Sequence, residues 1–171
     1  LAGGTLPAYQ QQRTRRYLDI LGTLPHKTPL QPRVTGTISR DGYRIEKVIS
    51  QSFPGHHVTA NLYIPDGKGP FPGLLFFCGH EATAKATATY QQTAIRLARN
   101  GFVVLSIDPI GQGERFQITG ADGTPKSRGG TTGHTLLAAG SNLVGTSVVA
   151  YQLWDNERGL DYLCSLPEVD T

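Results

Sequence analysis

Two unbroken apolar runs lie near the middle of the chain, at residues 74–78 and 102–107. Neither run alternates with polar residues, a pattern typical of strands that are covered on both faces in a parallel sheet. Between them, apolar residues recur with the period of a helix, and the stripe consists of Tyr90, Ala94, Leu97 and Ala98. Thr87 or Thr89 is a candidate N-cap, and Gly101 is a candidate left-handed stop. The pattern predicts a strand, a helix and a second strand parallel to the first.

A unit of this kind brings both strand ends to one edge of the sheet, because the strands are parallel and the crossover is right-handed. Ligands bind beyond the carboxyl ends of such strands. The loops that follow the two runs, residues 79–81 and 108–113, both contain glycine. We therefore expect the chemistry of the protein at these two loops.

The segments before this unit complete the predicted architecture. Residues 43–53 and 57–64 carry apolar residues mostly at alternate positions, and Pro54-Gly55 separates them, which favours an antiparallel pair at the sheet edge. Residues 1–33 are predicted to form an N-terminal arm and a helix that Thr5 caps. The predicted fold class is α/β, with a mostly parallel sheet, flanking helices and an antiparallel N-terminal edge.

The C-terminal part of the chain is less regular. Residues 116–140 are rich in Gly, Ser and Thr and predict a long loop, a kind of segment that is often functional. A final helix is expected from Ser141 to Leu166, with an apolar face that consists of Val149, Leu153, Leu160, Leu163 and Cys164. Residues 166–171 are interpreted as the lead-in to a further strand.

Composition narrows the class of function. Lys and Arg number 16 against 13 Asp and Glu, and they form no basic stripe, so nucleic acid is not an expected partner. No apolar stretch approaches the roughly 20 residues of a membrane span, so no membrane partner is expected either. Cys78 and Cys164 do not make a disulfide framework and are interpreted as free core thiols. The absence of Met fits a removed export signal or a longer parent protein; localisation is undecided, with secretion or a periplasmic location one expectation.

Three segments resemble the α/β-hydrolase superfamily, in particular its acetyl xylan esterase-like branch, which is related to dienelactone hydrolases. The segments read VTANLYIPDGKGPFPGLLFFCGH, LARNGFVVLSIDPIGQGER and DNERGLDYLCSLPEVDT. The resemblance covers residues 40–171 and implies that residues 34–171 are the N-terminal half of a hydrolase domain. It also implies ester hydrolysis by a Ser nucleophile, a His base and an acid. The nucleophile of this fold lies in a Gly-x-Ser-x-Gly elbow, and no such motif occurs in the sequence, so the triad is expected C-terminal to this chain.

The resemblance also implies candidate site residues. An oxyanion hole takes one backbone N–H from the loop after the third strand of the fold, where the N–H of His80 is the first candidate and that of Glu81 the second. Related esterases carry an Arg-Gly-Gln triplet after the next strand, which this chain matches at Gln112 but not at the Arg position. Arg115 would then supply the arginine, and His134 in the predicted loop is the third candidate for substrate binding.

Other interpretations of these residues are less favoured. A metal site at Cys78, His80 and Glu81 lacks a fourth ligand at a suitable spacing, so no metal and no cofactor are expected. The His56-His57 pair is interpreted as surface histidines, Tyr151 and Trp154 as packing residues, and Glu114-Arg115 as a local ion pair. Asp108 is left open between a turn residue and a residue that shapes the cleft.

The predicted function is a carboxylic ester hydrolase of the acetyl xylan esterase type, acting on a small-molecule or polysaccharide ester. Two alternatives stay open: a non-catalytic binding or assembly module, and a peptidase or dienelactone-type hydrolase on the same scaffold. A half sheet would expose an apolar strand edge and face. The C-terminal half of the hydrolase domain, or an oligomer partner, is therefore expected to cover it.

Overall fold

Six strands and four α-helices occur in the part of the chain that the computed structural model describes, residues 4–127 and 129–171. Their order is α1 (Leu6–Leu21), β1 (Arg33–Arg40), β2 (Tyr43–Phe53), β3 (His56–Pro65), β4 (Phe71–Phe77), a 3₁₀ turn (Ala84–Ala86), α2 (Ala88–Arg99), β5 (Val103–Ile107), α3 (Gly129–Leu143), α4 (Val148–Cys164) and β6 (Val169–Asp170). Residues 1–3 of the predicted arm and residue 128 of the predicted loop lie outside the described residues.

The strands form one mixed sheet in the order β1-β2-β3-β5-β4-β6. β1, β2, β3 and β5 pair antiparallel, whereas β4 pairs parallel with both β5 and β6. Leu75 of β4 lies opposite Leu105 of β5, so the two apolar runs of the sequence are neighbours in the same direction. The α/β class, the parallel unit and the antiparallel N-terminal edge are thus confirmed. The sheet is mixed rather than mostly parallel, since three of the five strand pairings among the described residues are antiparallel.

Helices lie on both faces of the sheet. Helix α2 packs against β3 and β5, and α4 packs against β4 and β5 on the other face. Every residue of β5 is buried as a result. The prediction that the first apolar run is covered on both faces was wrong at the end of β4, where Phe77 is 62% exposed. β4 lies towards the edge of the sheet, with only the short β6 beyond it.

The segment predicted as a long loop contains a helix. Residues 129–143 form α3, and the final helix begins at Val148 with Ser147 as its N-cap, so the prediction of one helix from residue 141 was wrong. Glycine lowers intrinsic helix propensity. Here it permits close packing, because a Cβ at Gly133 would lie 3.0 Å from the carbonyl oxygen of Gly111. Packing against the loop after β5 therefore outweighs the weak local preference.

The apolar face predicted for α4 was wrong in part: Leu163 is 2% exposed, as predicted, but three of the other four predicted residues are exposed. Val149 and Leu160 are 44% and 49% exposed, and Cys164 is exposed rather than in the core. The buried face instead carries two charged residues, Asp155 and Arg158. Asp155 pairs with Arg115 of the loop after β5, and Arg158 pairs with Asp161 of α4 itself, so the helix turns a partly polar stripe inward.

Helix α1 begins as predicted, with Thr5 Oγ1 accepting a hydrogen bond from Ala8 N at 3.4 Å. Leu21 is its one buried residue among those described. In the described residues, no single helix has the length and apolar character to span a membrane; residues 130–143 and 148–164 meet that criterion only as a pair, bent by 103°.

Candidate functional site

The loop after β4 carries the backbone amides that the sequence analysis singled out. Gly79 N donates to the Tyr90 hydroxyl at 3.0 Å, and Glu81 N donates to the Gly79 carbonyl oxygen at 2.9 Å. His80 N has no hydrogen-bond acceptor among the described residues. The loop therefore holds one amide with unused donor capacity, flanked by two amides that are occupied.

Gln112 ties this loop to the loop after β5. Its side chain is 1% exposed, and its Nε2 atom donates to the carbonyl oxygens of Gly79 at 2.8 Å and Glu81 at 2.6 Å. Helix α3 presses on the same side chain, because a Cβ at Gly130 would lie 2.8 Å from Gln112 Cδ. The glutamine is thus enclosed between two loops and a helix.

The Asp108 carboxylate also connects the same two loops. Its carboxylate is fully buried and accepts from Thr59 Oγ1 at 2.7 Å, Lys85 N at 3.1 Å and Glu114 N at 3.2 Å, and it forms an ion pair with the Lys85 ammonium group. Gly113 lies against it with φ +60°, where a Cβ would be 2.3 Å from Asp108 Oδ1. Only glycine fits there without a shift in the structure. Asp108 thereby acts as a turn residue that also lines the cleft floor.

A second buried carboxylate, Asp155 of α4, gathers residues from three distant parts of the chain. Arg115 Nη2 donates to Asp155 Oδ2 at 2.8 Å, Ser52 Oγ donates to Asp155 Oδ1 at 2.6 Å, and His56 Nε2 lies 3.3 Å from Asp155 Oδ2. Burial raises the pKa of Asp155, but contact with His56 and the charge of Arg115 outweigh that effect, and the net pKa is lowered. Asp155 is therefore an ionised carboxylate.

This cluster contains Ser, His and Asp side chains but lacks the order of a catalytic triad. In a triad the His lies between the Ser and the acid. Here the Ser52 hydroxyl bonds directly to the carboxylate, and Ser52 is fully buried. Arg115 Nη2 also lies 2.8 Å from His56 Nε2, so the imidazole contacts the arginine as well as the carboxylate. The cluster is a structural network rather than a nucleophile with its base.

Two predictions about the residues of this network were wrong. Arg115 pairs with Asp155, whereas Glu114 pairs with Lys85, so the local Glu114-Arg115 ion pair was wrong. His56 is not a surface histidine, because its side chain is 16% exposed and lies within the network. His57, which points to the opposite face of β3, is exposed as predicted.

A cleft of about 220 Å³ opens beyond the carboxyl ends of β4 and β5. His80 and His134 face each other across it edge to face, with ring centroids 5.2 Å apart. His134 Nε2 lies 2.7 Å from the Ile110 carbonyl oxygen, to which it donates. Burial lowers the pKa of His134, and the proximity of the His80 ring lowers it further, against the opposing effect of that hydrogen bond. His134 is therefore neutral at neutral pH, with Nε2 as its protonated nitrogen.

Four of the five predicted site residues line this cleft: His80, Gln112, Arg115 and His134. Glu81 does not line it. Sequence reasoning missed the cleft residues that α4 contributes, which are Gln152, Asp155 and Asn156. Their spacing of i, i+3 and i+4 puts them on one helix face, and this polar stripe was the signal that could have found them.

The described part of the chain contains no group of three or more His, Cys, Asp and Glu side chains that could hold a metal ion.

The fold has the arrangement of α/β-hydrolases: parallel strands β4 and β5, a crossover helix between them and a cleft beyond their carboxyl ends. A family model described as "Abhydrolase family" matches residues 2–163, and the chain belongs to this family.

Solved structures share the fold at low sequence identity. A candidate acetyl xylan esterase from Bacteroides fragilis matches with a TM-score of 0.80 and 17% identity, over 96% of this chain and 44% of that one. Acetyl xylan esterase 1 from Thermoanaerobacterium sp. matches with a TM-score of 0.61 and 17% identity, over 94% and 47%. An acetyl xylan esterase from Paenibacillus sp. matches with a TM-score of 0.57 and 23% identity, over 84% and 44%. The chain spans less than half the length of each, and no curated protein sequence matches it.

Proposed function

We propose that this chain is the N-terminal part of a carboxylic ester hydrolase in which the backbone N–H of His80 is one of two oxyanion-hole donors. One observation carries the proposal. At the rim of a cleft beyond two parallel strands, the His80 amide has no acceptor among the described residues, while the amides on either side of it are bonded. Glu81 is the weaker candidate, because its N–H is directed to the Gly79 carbonyl oxygen.

The chemistry follows from what ester hydrolysis requires. Attack on the ester carbonyl places negative charge on its oxygen, and two preorganised N–H donors stabilise that charge. In this fold one donor follows the nucleophile and the other comes from the loop that His80 occupies here. The Ser nucleophile, the acid and the His base would lie C-terminal to Thr171.

We propose acetyl esters, carried by a plant polysaccharide, as the substrate class. The solved structures that resemble this chain are named for acetyl xylan. The cleft wall formed by His134, Gln152 and Asn156 offers neutral polar groups of the kind that bind sugar hydroxyls. Arg115 and Gln112 are buried and already bonded, so we propose that they shape the cleft rather than touch the substrate.

A serine-directed fluorophosphonate probe tests the proposal on the full-length protein. We expect the probe to label one serine outside residues 1–171, and release of acetate from acetylated xylan to stop in the labelled protein. Acetate release that continues unchanged after complete labelling would contradict the Ser mechanism. No labelling together with no acetate release would remove the esterase proposal altogether.

The absence of a Gly-x-Ser-x-Gly motif from the sequence favours a second candidate, a non-catalytic binding or assembly module. The intact mass of the protein purified from its source separates the two. A mass well above 18.4 kDa supports the hydrolase, and a mass of 18.4 kDa supports the module.

A further inference from the structure

We infer that Gln112 is a positioning residue that sets the direction of the His80 N–H, an inference that rests on the proposed esterase function. Its Nε2 atom donates to two carbonyl oxygens, those of Gly79 and Glu81, which immediately flank His80 in the chain. A single buried amide group therefore grips the loop on both sides of the proposed oxyanion donor.

Because the peptide bond is planar, these hydrogen bonds also fix the direction of the His80 N–H. The Gly79 carbonyl and the His80 N–H belong to one peptide unit, and in a trans peptide they point in opposite directions. Gly79 O accepts from Gln112 Nε2 at 2.8 Å and from Glu81 N at 2.9 Å. With the oxygen held by two donors, the peptide cannot rotate without breaking both bonds. The His80 N–H is consequently fixed on the side away from Gln112.

The chemical identity of residue 112 matters for this role. A side-chain amide nitrogen has two hydrogens, which are the two donors that this loop uses. The other atom of the amide, Gln112 Oε1, is buried and has no hydrogen-bond partner among the described residues. The position therefore uses the donor half of the amide. A glutamate would put an acceptor against two carbonyl oxygens, and a methionine would offer no donor.

The backbone of the loop after β5 keeps Gln112 in place. Gln112 N donates to the Pro109 carbonyl oxygen at 3.1 Å, and Arg115 N donates to the Gln112 carbonyl oxygen at 2.9 Å. Gly130 of α3 closes over the side chain. Since Gln112 is 1% exposed, it acts through the loop and not on the substrate.

The experiment compares three variants of the full-length protein: Gln112→Met, Gln112→Glu and the control Gln117→Glu. Gln117 lies in the same loop and also donates to a backbone carbonyl oxygen, that of Arg115 at 3.0 Å, but it does not touch the loop after β4. We expect kcat for acetate release to fall by about 10- to 100-fold in both Gln112 variants, since small misplacements of a catalytic group cost up to about 100-fold. KM should stay near the wild-type value in both Gln112 variants, and Gln117→Glu should match wild type. The urea midpoint of both Gln112 variants should fall, because the carbonyl oxygens of Gly79 and Glu81 lose a buried donor.

Three outcomes separate this inference from the proposed function. If the wild type hydrolyses acetyl esters and a folded Gln112→Met variant has the same kcat, the inference is overturned and the proposed function stands. A change in KM without a change in kcat also overturns it, because that result indicates uniform binding rather than transition-state alignment. Wild type without esterase activity removes both.

If neither Gln112 variant folds, a structure of the wild-type protein with a bound boronic acid, a mimic of the tetrahedral intermediate, decides the question. An oxygen of the boronate within hydrogen-bond distance of His80 N, with Gln112 still bonded to Gly79 and Glu81, supports the inference. A boronate oxygen bound elsewhere, or a released Gln112 side chain, overturns it.

Discussion

The two buried carboxylates beside the cleft, Asp108 and Asp155, belong to regions that are organised in different ways. Asp108 accepts from two backbone N–H groups and pairs with Lys85, all in the two loops that follow β4 and β5, and it accepts from the Thr59 hydroxyl of β3 as well. Asp155 bonds only to side chains, and these come from β2, from the start of β3 and from the loop after β5.

The two sides of the cleft also differ in the groups that line them. On the Asp108 side the proposed functional group is a backbone amide, whose direction depends on the path of the chain. On the Asp155 side the cleft wall consists of side chains on α3 and α4, which depend on where the helices lie. Bonds to backbone groups therefore hold the loop that carries the proposed backbone donor, whereas long-range bonds between side chains hold the helices that form the opposite cleft wall. Four predictions test this comparison, from the largest effect to the smallest.

The largest effect should follow Asp108→Asn. This change leaves the ammonium group of Lys85, a residue 5% exposed, without its buried counter-charge. We expect the free energy of unfolding to fall by about 3–5 kcal/mol, the usual cost of breaking a buried ion pair. Urea unfolding of the full-length protein measures it. Asp19→Asn on the exposed face of α1 is the control and should leave the midpoint unchanged. An equal, small effect of both variants would contradict the role of Asp108.

The second prediction separates backbone from side chain at residue 80. His80→Pro removes the N–H, whereas His80→Ala keeps it and removes the ring. Loss of one oxyanion-hole donor typically lowers kcat by about 10²–10³, and we expect that loss for the Pro variant in acetate release. The Ala variant should retain most of kcat. Equal losses in the two variants, at unchanged stability, would show that the ring and not the amide is important.

The third prediction concerns Ser52, whose hydroxyl donates to Asp155 Oδ1 at 2.6 Å. Ser52→Ala removes one hydrogen bond to a charged group but leaves Arg115 in place, so we expect a loss of about 1.5–3 kcal/mol in the free energy of unfolding. Ser50→Ala on the same strand is the matched control and should change stability less. The activity of the Ser52 variant should stay near wild type. A loss of activity larger than the loss of stability explains would mean that this network acts in catalysis.

The smallest effect is a pH dependence from His134. Because its pKa in the folded protein lies below the ordinary value of 6.5, the unfolded chain takes up the proton first as the pH falls. Stability from this group is complete above pH 6.5 and decreases as the pH falls through 6.5 towards the folded pKa. Urea unfolding between pH 8 and pH 5 should show a smaller decrease in His134→Gln than in wild type. Identical pH profiles would rule out the buried neutral imidazole.

The loops at the site could be located from the sequence because their position depends on neighbouring strands. The apolar runs at residues 74–78 and 102–107 lacked polar alternation, which is a local signal, and they pair parallel in the structure. Thr87 or Thr89 was the predicted N-cap of helix α2, and Thr87 occupies that position; the glycine after the helix, Gly101, has φ +86°. Short connections then bring the loops after β4 and β5 together.

Other parts of the site could not be read from local patterns. Helix α3 forms in a Gly- and Thr-rich segment, since contact with the loop after β5 compensates its low intrinsic propensity. Arg115 was assigned its sequence neighbour Glu114 as a partner, yet it pairs with Asp155, 40 residues away. Nothing near Asp155 in the sequence predicts that pair, because its stability depends on both charges leaving water together.

By itself, the sequence determined the strands and the helix of the central unit and which two loops meet at the edge of the sheet, because hydrophobic periodicity and glycine positions act within a few residues. Only the tertiary structure decided that Gln112 grips the peptides around His80 and that Asp155 gathers Arg115, His56 and Ser52. Such buried polar contacts depend on which groups the fold removes from water together, and that choice is made by packing across the whole chain.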